Sequence, residues 1–236
     1  MFAPPLKKGD AIGVMAPSAF VEEPEILAAR EFIEKEGYCV KIHPQTFFRN
    51  NQSAGTHEEK AKALHELWSD PEVKAIITAG GGNRTLHLLD FLDYELLAEK
   101  PKHIIGFSDI TALLNAVYAK SSLITIHGPV FKKLPEYLEL YELFDLLGGK
   151  QVTVPLEKAR VIKKGTASGK LIGGNLSVFH YLPGTEYMPG PDGAILFLLL
   201  ILRRITHKTY LLNEINKAGR LALCSSQMLP KSPTAT

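Results

Sequence analysis

The stretch VKAIITAGGG, residues 73–82, decides the reading of this chain: a short run dominated by Val, Ile and Ala passes straight into three glycines. A strand so uniformly apolar expects burial on both faces, the condition of a strand inside a parallel sheet covered by helices. Working outward, the same pattern repeats. AIGVM (11–15) ends in Ala16-Pro17-Ser18, CVKIH (39–43) leads into a polar loop, HIIGF (103–107) turns directly into Ser108-Asp109, and LITI (123–126) precedes His127-Gly128-Pro129. Helical patterns fill the gaps. They run over 25–36, over 57–68 behind Thr56 with Glu58 and Glu59 in the first turn, and over 86–92 and 109–118. Strand alternating with helix predicts an α/β fold whose N-terminal parallel sheet is flanked by helices.

A further helix is expected over Pro135 to Leu147. After Gly148-Gly149 the texture changes: Gln151 to Lys164 alternates β-branched and polar residues, and Gly165, Gly169, Gly173 and Gly174 follow closely. The expected organisation is an α/β domain over residues 1–130, a linker over 131–165 and a β-rich C-terminal domain over 166–236. No internal repeat is visible.

Composition narrows the function classes. With 45% hydrophobic and 22% charged residues, the 236-residue chain is a globular protein rather than a disordered or low-complexity one. A net charge of +2 gives no electrostatic case for nucleic acid as a partner. Two cysteines, Cys39 and Cys224, make neither a disulfide framework nor a Cys-based zinc site, and a reducing cytoplasm is the simplest compartment. No secretory signal is read at the N-terminus. The longest apolar run, AILFLLLIL (194–202), is far short of the roughly 20 residues a membrane-spanning helix needs, so no membrane partner is expected.

In a parallel sheet, ligands bind beyond the carboxyl ends of the strands. Two loops fall there. Gly80-Gly81-Gly82-Asn83 could bring backbone N–H groups close to an oxyanion or phosphate, although neither G-x-G-x-x-G nor Gly-Lys-Ser is present, and spacing alone favours a plain tight turn. Gly106-Phe107-Ser108-Asp109 resembles a nucleophile elbow without matching G-x-S-x-G; on local pattern alone Ser108 reads first as a helix N-cap. His127 is the histidine best placed by topology to serve as a base. His57, His65 and His87 show no metal-ligand spacing, and His180 and His207 carry no motif context.

Taken together, several segments identify a relationship. PPLKKGDAIGVMAPS (4–18), AGTHEEKAKALHELWSDPEVKAIITAGGGNRT (54–85), LLDFLDYELL (88–97), KPKHIIGFSDITALLNAVY (100–118), ITIHGP (124–129), GKLIGGNLSVFHYLPGTEY (169–187) and DGAILFL (192–198) occur in this order. The chain thereby resembles the LD-carboxypeptidase family of serine peptidases, the muramoyl-tetrapeptide carboxypeptidase and microcin-immunity type. The resemblance implies a cytoplasmic enzyme without metal or cofactor. It would cleave the L–D bond of murein tetrapeptides to release terminal D-alanine in cell-wall recycling or, in the microcin-immunity branch, a peptidyl nucleotide. It implies a small peptide as substrate and an active site between an α/β nucleophile domain and a β-rich domain. By motif, Ser108 becomes the nucleophile, and the backbone N–H of Asp109 with those of Gly81 and Gly82 the oxyanion hole, which reverses the N-cap reading. His127 becomes structural.

Departures from the family pattern carry equal weight. The triad carboxylate, a Glu following I-L-F-L, aligns with Leu199 and Leu200. Residues 208–221 echo the following helix faintly, and the family's late His motif has no counterpart before Thr236. The glycine loop reads Gly81-Gly82-Asn83-Arg84 in place of Gly-Gly-Tyr-Gly. The expectation is a truncated or altered copy after Leu198 with an incomplete C-terminal domain, and an impaired enzyme or a non-catalytic binding remnant of the same fold. Uncovered apolar surface at 194–202 would favour a homodimer or aggregation.

Overall fold

The computed structural model describes residues 1–137, 140–152 and 161–200. Five strands, β1 (Ala11–Met15), β2 (Cys39–Ile42), β3 (Val73–Thr78), β4 (His103–Gly106) and β5 (Ile126–His127), form one sheet in the order β2-β1-β3-β4-β5. All neighbours are parallel, with Val14 opposite Ile42 on one side and Ile77 on the other. The α/β fold expected from VKAIITAGGG is therefore present, and β3, buried at Val73 and from Ala75 to Thr78, lies at its centre.

Helices α1 (Glu23–Lys35), α2 (His57–Ser69), α3 (Tyr94–Glu99), α4 (Thr111–Ser121) and α5 (Leu140–Leu147) cover the two faces. Ile26, Ala29 and Ile33 of α1 are buried with Val14, Ile77 and Ile105 on one face, together with Phe131 and Leu143. Leu64, Leu67 and Trp68 of α2 pack with Ile76, Ile104 and the α4 residues Leu113 and Val117 on the other. Helix α2 starts where the sequence places it: Thr56 and Glu59 exchange both hydrogen bonds of a capping box, which holds two of the otherwise orphaned N-terminal donors.

Several boundaries differ from expectation. The strand expected at Leu123–Ile126 is reduced to Ile126–His127, because the Ile124 N–H is taken by the Met1 carbonyl and the Thr125 hydroxyl by Leu114 of α4. Thr85–Phe91 is a 3-10 helix rather than an α-helix. The single helix expected over 135–147 is a 3-10 turn, Phe131–Glu136, containing Pro135, followed by α5. The short helix α3, capped by the Asp93 side chain on Leu96 N–H, was not anticipated.

Beyond α5, β6 (Leu171–Asn175) and β7 (Ile195–Leu199) pair in parallel, with α6 (Leu176–Phe179) opening the crossover between them. Ala194, Leu196 and Leu198 pack into the core cluster of α4, so much of the apolar run is engaged inwardly, while Leu200 is 55% exposed. Of the alternating stretch expected at 151–164, residues 153–160 lie outside the described residues, and 161–164 form no strand. Ile201, Leu202, His207, Cys224 and the echo at 208–221 also lie outside the described residues. Among the described residues no helix is long and apolar enough to cross a membrane.

Candidate active site

The strand order reverses between β1 and β3, and that switch point places the loops after β1, β3 and β4 side by side. After β4 the chain turns sharply. A methyl group on Gly106 would fall 2.4 Å from Ile110 Cγ2 and 2.7 Å from Thr78 Oγ1, so the turn admits only glycine there. Ser108 then adopts φ 60°, the left-handed conformation that a serine holds only when its surroundings enforce it. Its side chain makes no capping bond to the helix that follows; Phe107 precedes a 3-10 turn, Ser108–Ile110, which leads into α4. The N-cap reading of Ser108 is thus corrected: backbone strain presents the hydroxyl, and capping does not.

The glycine loop runs beside this hydroxyl. A methyl on Gly81 would sit 3.4 Å from Ser108 Cβ and 3.8 Å from its Oγ, and one on Gly82 would strike Ser18 Oγ at 2.3 Å. Gly82 is required by this close approach, which goes beyond the tight-turn reading, whereas a side chain at Gly81 would only touch Ser108 at ordinary contact distance.

The buried Asp109 carboxylate ties the loops together. Its Oδ2 accepts from Ser18 Oγ (2.5 Å), Arg84 N (2.8 Å), Thr85 N (2.9 Å) and Thr85 Oγ1 (2.6 Å). One side chain therefore fixes the ends of the β1 and β3 loops to the turn that carries Ser108. Sequence reasoning assigned Asp109 only a backbone role. Its partners lie up to 91 residues away, beyond the reach of any local pattern.

Asn175, at the end of β6, is the residue the sequence left without a role. Its Nδ2 donates to Ser108 Oγ at 3.4 Å, its backbone N–H to Thr111 Oγ1 at 2.9 Å, and its Oδ1 accepts from Ser177 N–H. Asn115 of α4 grips the same strand, exchanging hydrogen bonds with both backbone groups of Gly173. The signal lay in IGGN, a polar residue closing an apolar strand behind two glycines of positive φ.

His127 faces Thr111 Oγ1 through Nε2 at 3.4 Å and is flanked by the rings of Phe107 and Phe197. Burial pushes its pKa down to about 4, so the ring is neutral at pH 7 and shares a hydrogen bond with the Thr111 hydroxyl. Among the described residues Ser108 hydrogen-bonds no histidine. His180 closes α6, exposed, with Nδ1 on the Leu176 carbonyl and its ring against Tyr181. His57 and His87 lie against one another at a ring distance of 5.4 Å, and His65 Nε2 accepts from Asp93 N–H. No group of three or more His, Cys, Asp or Glu able to hold a metal occurs among the described residues.

The β6–β7 register sets Leu199 opposite Asn175. Leu199, an aliphatic residue, is thereby set at the strand end next to Asn175, whose amide reaches Ser108.

The neutral state of His127 has a consequence for stability. Its folded pKa lies below the unfolded value of about 6.5, so the stabilisation is complete above that value and is lost as pH falls through 6.5 toward 4. Burial displaces His57, His65 and His103 in the same direction. Denaturant melts at pH 7 and pH 4 are expected to differ by up to about 3 kcal/mol from His127 alone. His127→Gln should flatten that portion of the profile, and an unchanged profile in the variant would remove His127 as its origin.

Comparison with known proteins bears on this arrangement. Residues 12–128 match the family model of the LD-carboxypeptidase N-terminal domain, and residues 168–227 that of the LD-carboxypeptidase C-terminal domain. The second match carries the likeness past Leu198, into the segment where motifs show only a faint echo. The chain is 35% identical over 227 residues to the putative carboxypeptidase YocD of Bacillus subtilis, covering 84% of this chain and 70% of that protein. It is 30% identical to the probable murein peptide carboxypeptidase of the same organism, covering 92% and 70%. To the microcin C7 self-immunity protein MccF of Escherichia coli it is 32% identical, covering 84% and 68%. MccF in complex with aspartyl sulfamoyl adenosine superposes with a TM-score of 0.75 at 29% identity, covering 84% of this chain and 70% of that one. An active-site mutant of MccF, with a serine, an asparagine and a lysine each changed to alanine, gives 0.76 at 28% identity, covering 85% and 71%.

Proposed function

The chain belongs to the LD-carboxypeptidase family, and from that premise we propose that it is a serine-type peptidase acting on a small L–D peptide, with Ser108 as nucleophile. The observation that carries the reading is Ser108 held at φ 60° at a strand-to-helix turn, beside the Gly81–Gly82 backbone and under the Asn175 amide. Attack of Oγ on a peptide carbonyl places negative charge on its oxygen. The N–H groups of Asp109, in the 3-10 turn ahead of α4, and of the Gly81–Gly82 loop after β3 are the donors suited to receive it. Replacement of a serine and an asparagine in the MccF active-site mutant supports pairing Ser108 with Asn175.

The substrate proposed is a murein tetrapeptide ending in D-alanine, which the murein peptide carboxypeptidase relative supports. The likeness to MccF bound to aspartyl sulfamoyl adenosine favours a peptidyl nucleotide as the second reading. With Leu199 and Leu200 where the family places its carboxylate, the proposed enzyme is impaired: an aliphatic side chain neither fixes an imidazole tautomer nor stabilises an imidazolium. The proposed setting is the cytoplasm.

Incubation with an L–D tetrapeptide and its all-L analogue, followed by mass spectrometry, tests the assignment. Slow release of the terminal D-residue alone is expected, with no cleavage of the all-L peptide. Equal cleavage of both would exclude an L–D carboxypeptidase, and selective cleavage of a peptidyl nucleotide would transfer the assignment to the second reading.

A further inference from the structure

The geometry points to a second binding site, a phosphate-binding cleft at the amino ends of the strands, on the opposite end of the sheet from Ser108. A cavity of about 490 Å³ opens there, lined by Lys7, Lys74, Lys100, Lys102, Asp10 and Trp68. Its volume falls in the range of small-molecule sites, roughly 300–1,000 Å³.

Charge is the first argument. Four lysines and one carboxylate line the cleft, and Asp10 already accepts the backbone N–H of Lys7. The neighbouring carboxylates Asp70 and Glu72 are both taken by Lys41. Among the described residues Lys7, Lys74, Lys100 and Lys102 form no ion pair. Lys74 reaches only the Pro71 carbonyl, and Lys102 only the carbonyls of Leu67 and Asp70. Lys102 is 7% exposed, and burial together with the fields of Lys74, Lys100 and Lys41 outweighs the Asp70 charge and brings its pKa down to about 8. An arriving anion would relieve that repulsion, and lysine is a common phosphate partner acting as a point charge.

The walls supply the second argument. Pro4, Pro5, Pro71 and Pro101 give the cleft rigid apolar sides. The rim is preformed: His103 Nε2 holds the Pro4 carbonyl at 2.9 Å, and Leu6 N–H bonds the Leu147 carbonyl. Trp68, fully buried, is among the residues that border the cleft. The occupant that fits is a phosphate group, either free or as the monoester of a small molecule whose body lies on the prolines. The site is separate from the peptidase centre, since the six residues from Lys102 to Ser108 span about 20 Å along β4.

Trp68 is the only tryptophan in the chain, so its indole ¹H–¹⁵N cross-peak reports on this cleft. The protein is titrated with adenosine monophosphate, inorganic phosphate and adenosine at about 0.15 M salt. Saturable shifts with both phosphates and none with adenosine are expected. Tighter binding of the monophosphate assigns the cleft to a monoester; binding of inorganic phosphate at least as tight assigns it to the free anion. Lys74→Glu combined with Lys100→Glu should weaken binding at least about tenfold with an unchanged circular dichroism spectrum. Ser108→Ala should leave binding unaltered. No saturation up to about 10 mM phosphate, an equal response to adenosine, or full binding by the double variant would each overturn the proposal.

Discussion

Turnover of an L–D tetrapeptide by this chain is expected to fall about 10⁴-fold below the ordinary enzymatic range of about 1–10³ s⁻¹. The expectation rests on Leu199, which the β6–β7 register sets opposite Asn175, and on the proposal that this residue stands where the family has its carboxylate. Loss of a triad carboxylate alone costs about 10⁴, and the missing counterpart of the family's late His motif can only deepen that loss. Triad losses do not add, so a second removal is cheap once the first has been made. Ser108→Ala should therefore lower the residual rate by no more than about 10²-fold. Covalent labelling discriminates independently: a fluorophosphonate adduct on Ser108 should vanish in the alanine variant. A rate of 1 s⁻¹ or more, or a fall of about 10⁶-fold on Ser108→Ala, would show an intact triad and retire the impairment reading.

Asp109→Ala is expected to destabilise the fold by about 3–5 kcal/mol. All four donors on this carboxylate converge on Oδ2, and two of them are backbone N–H groups. Truncation leaves the buried Thr85 donors without their acceptor and Arg84 N–H with only its longer bond to Ser18 Oγ, whereas Asp109→Asn keeps one oxygen in place and should cost markedly less. At about 2–4 °C per kcal/mol for a chain of this size, the alanine variant should melt about 6–20 °C lower. A shift below 2 °C would mean that solvent or a neighbour satisfies the loop in its place.

The parts of the structure legible in the sequence are those encoded locally. VKAIITAGGG and HIIGFSD announce strands by apolar run and loops by glycine, and both are where expected. Thr56 and Glu59 mark the start of α2 to the residue. Misreadings fall where a distant segment competes for backbone groups: Met1 takes the Ile124 N–H and shortens β5. The start of the 3-10 helix at 85–91 is likewise held from a distance, by the Asp109 carboxylate on the N–H groups of Arg84 and Thr85. For the site, local pattern found Ser108 but misassigned its role, because a left-handed serine and an N-cap serine share one sequence context. Asp109 and Asn175 act through contacts 91 and 67 residues away, which no spacing rule encodes.

Those separations also govern how the site comes into being. The bond from Asn175 to Ser108 closes a 67-residue loop, and the bond from Ser18 to Asp109 a 91-residue one, so each must repay loop-closure entropy before it forms. A parallel β6–β7 pair adds a crossover of its own. The contact between Ser108 and Asn175 can therefore form only after the chain has been synthesised through Asn175 and folded. The nascent protein passes through most of its biogenesis with the nucleophile unassembled, and activity, once measured, is a late and sensitive reporter of folding.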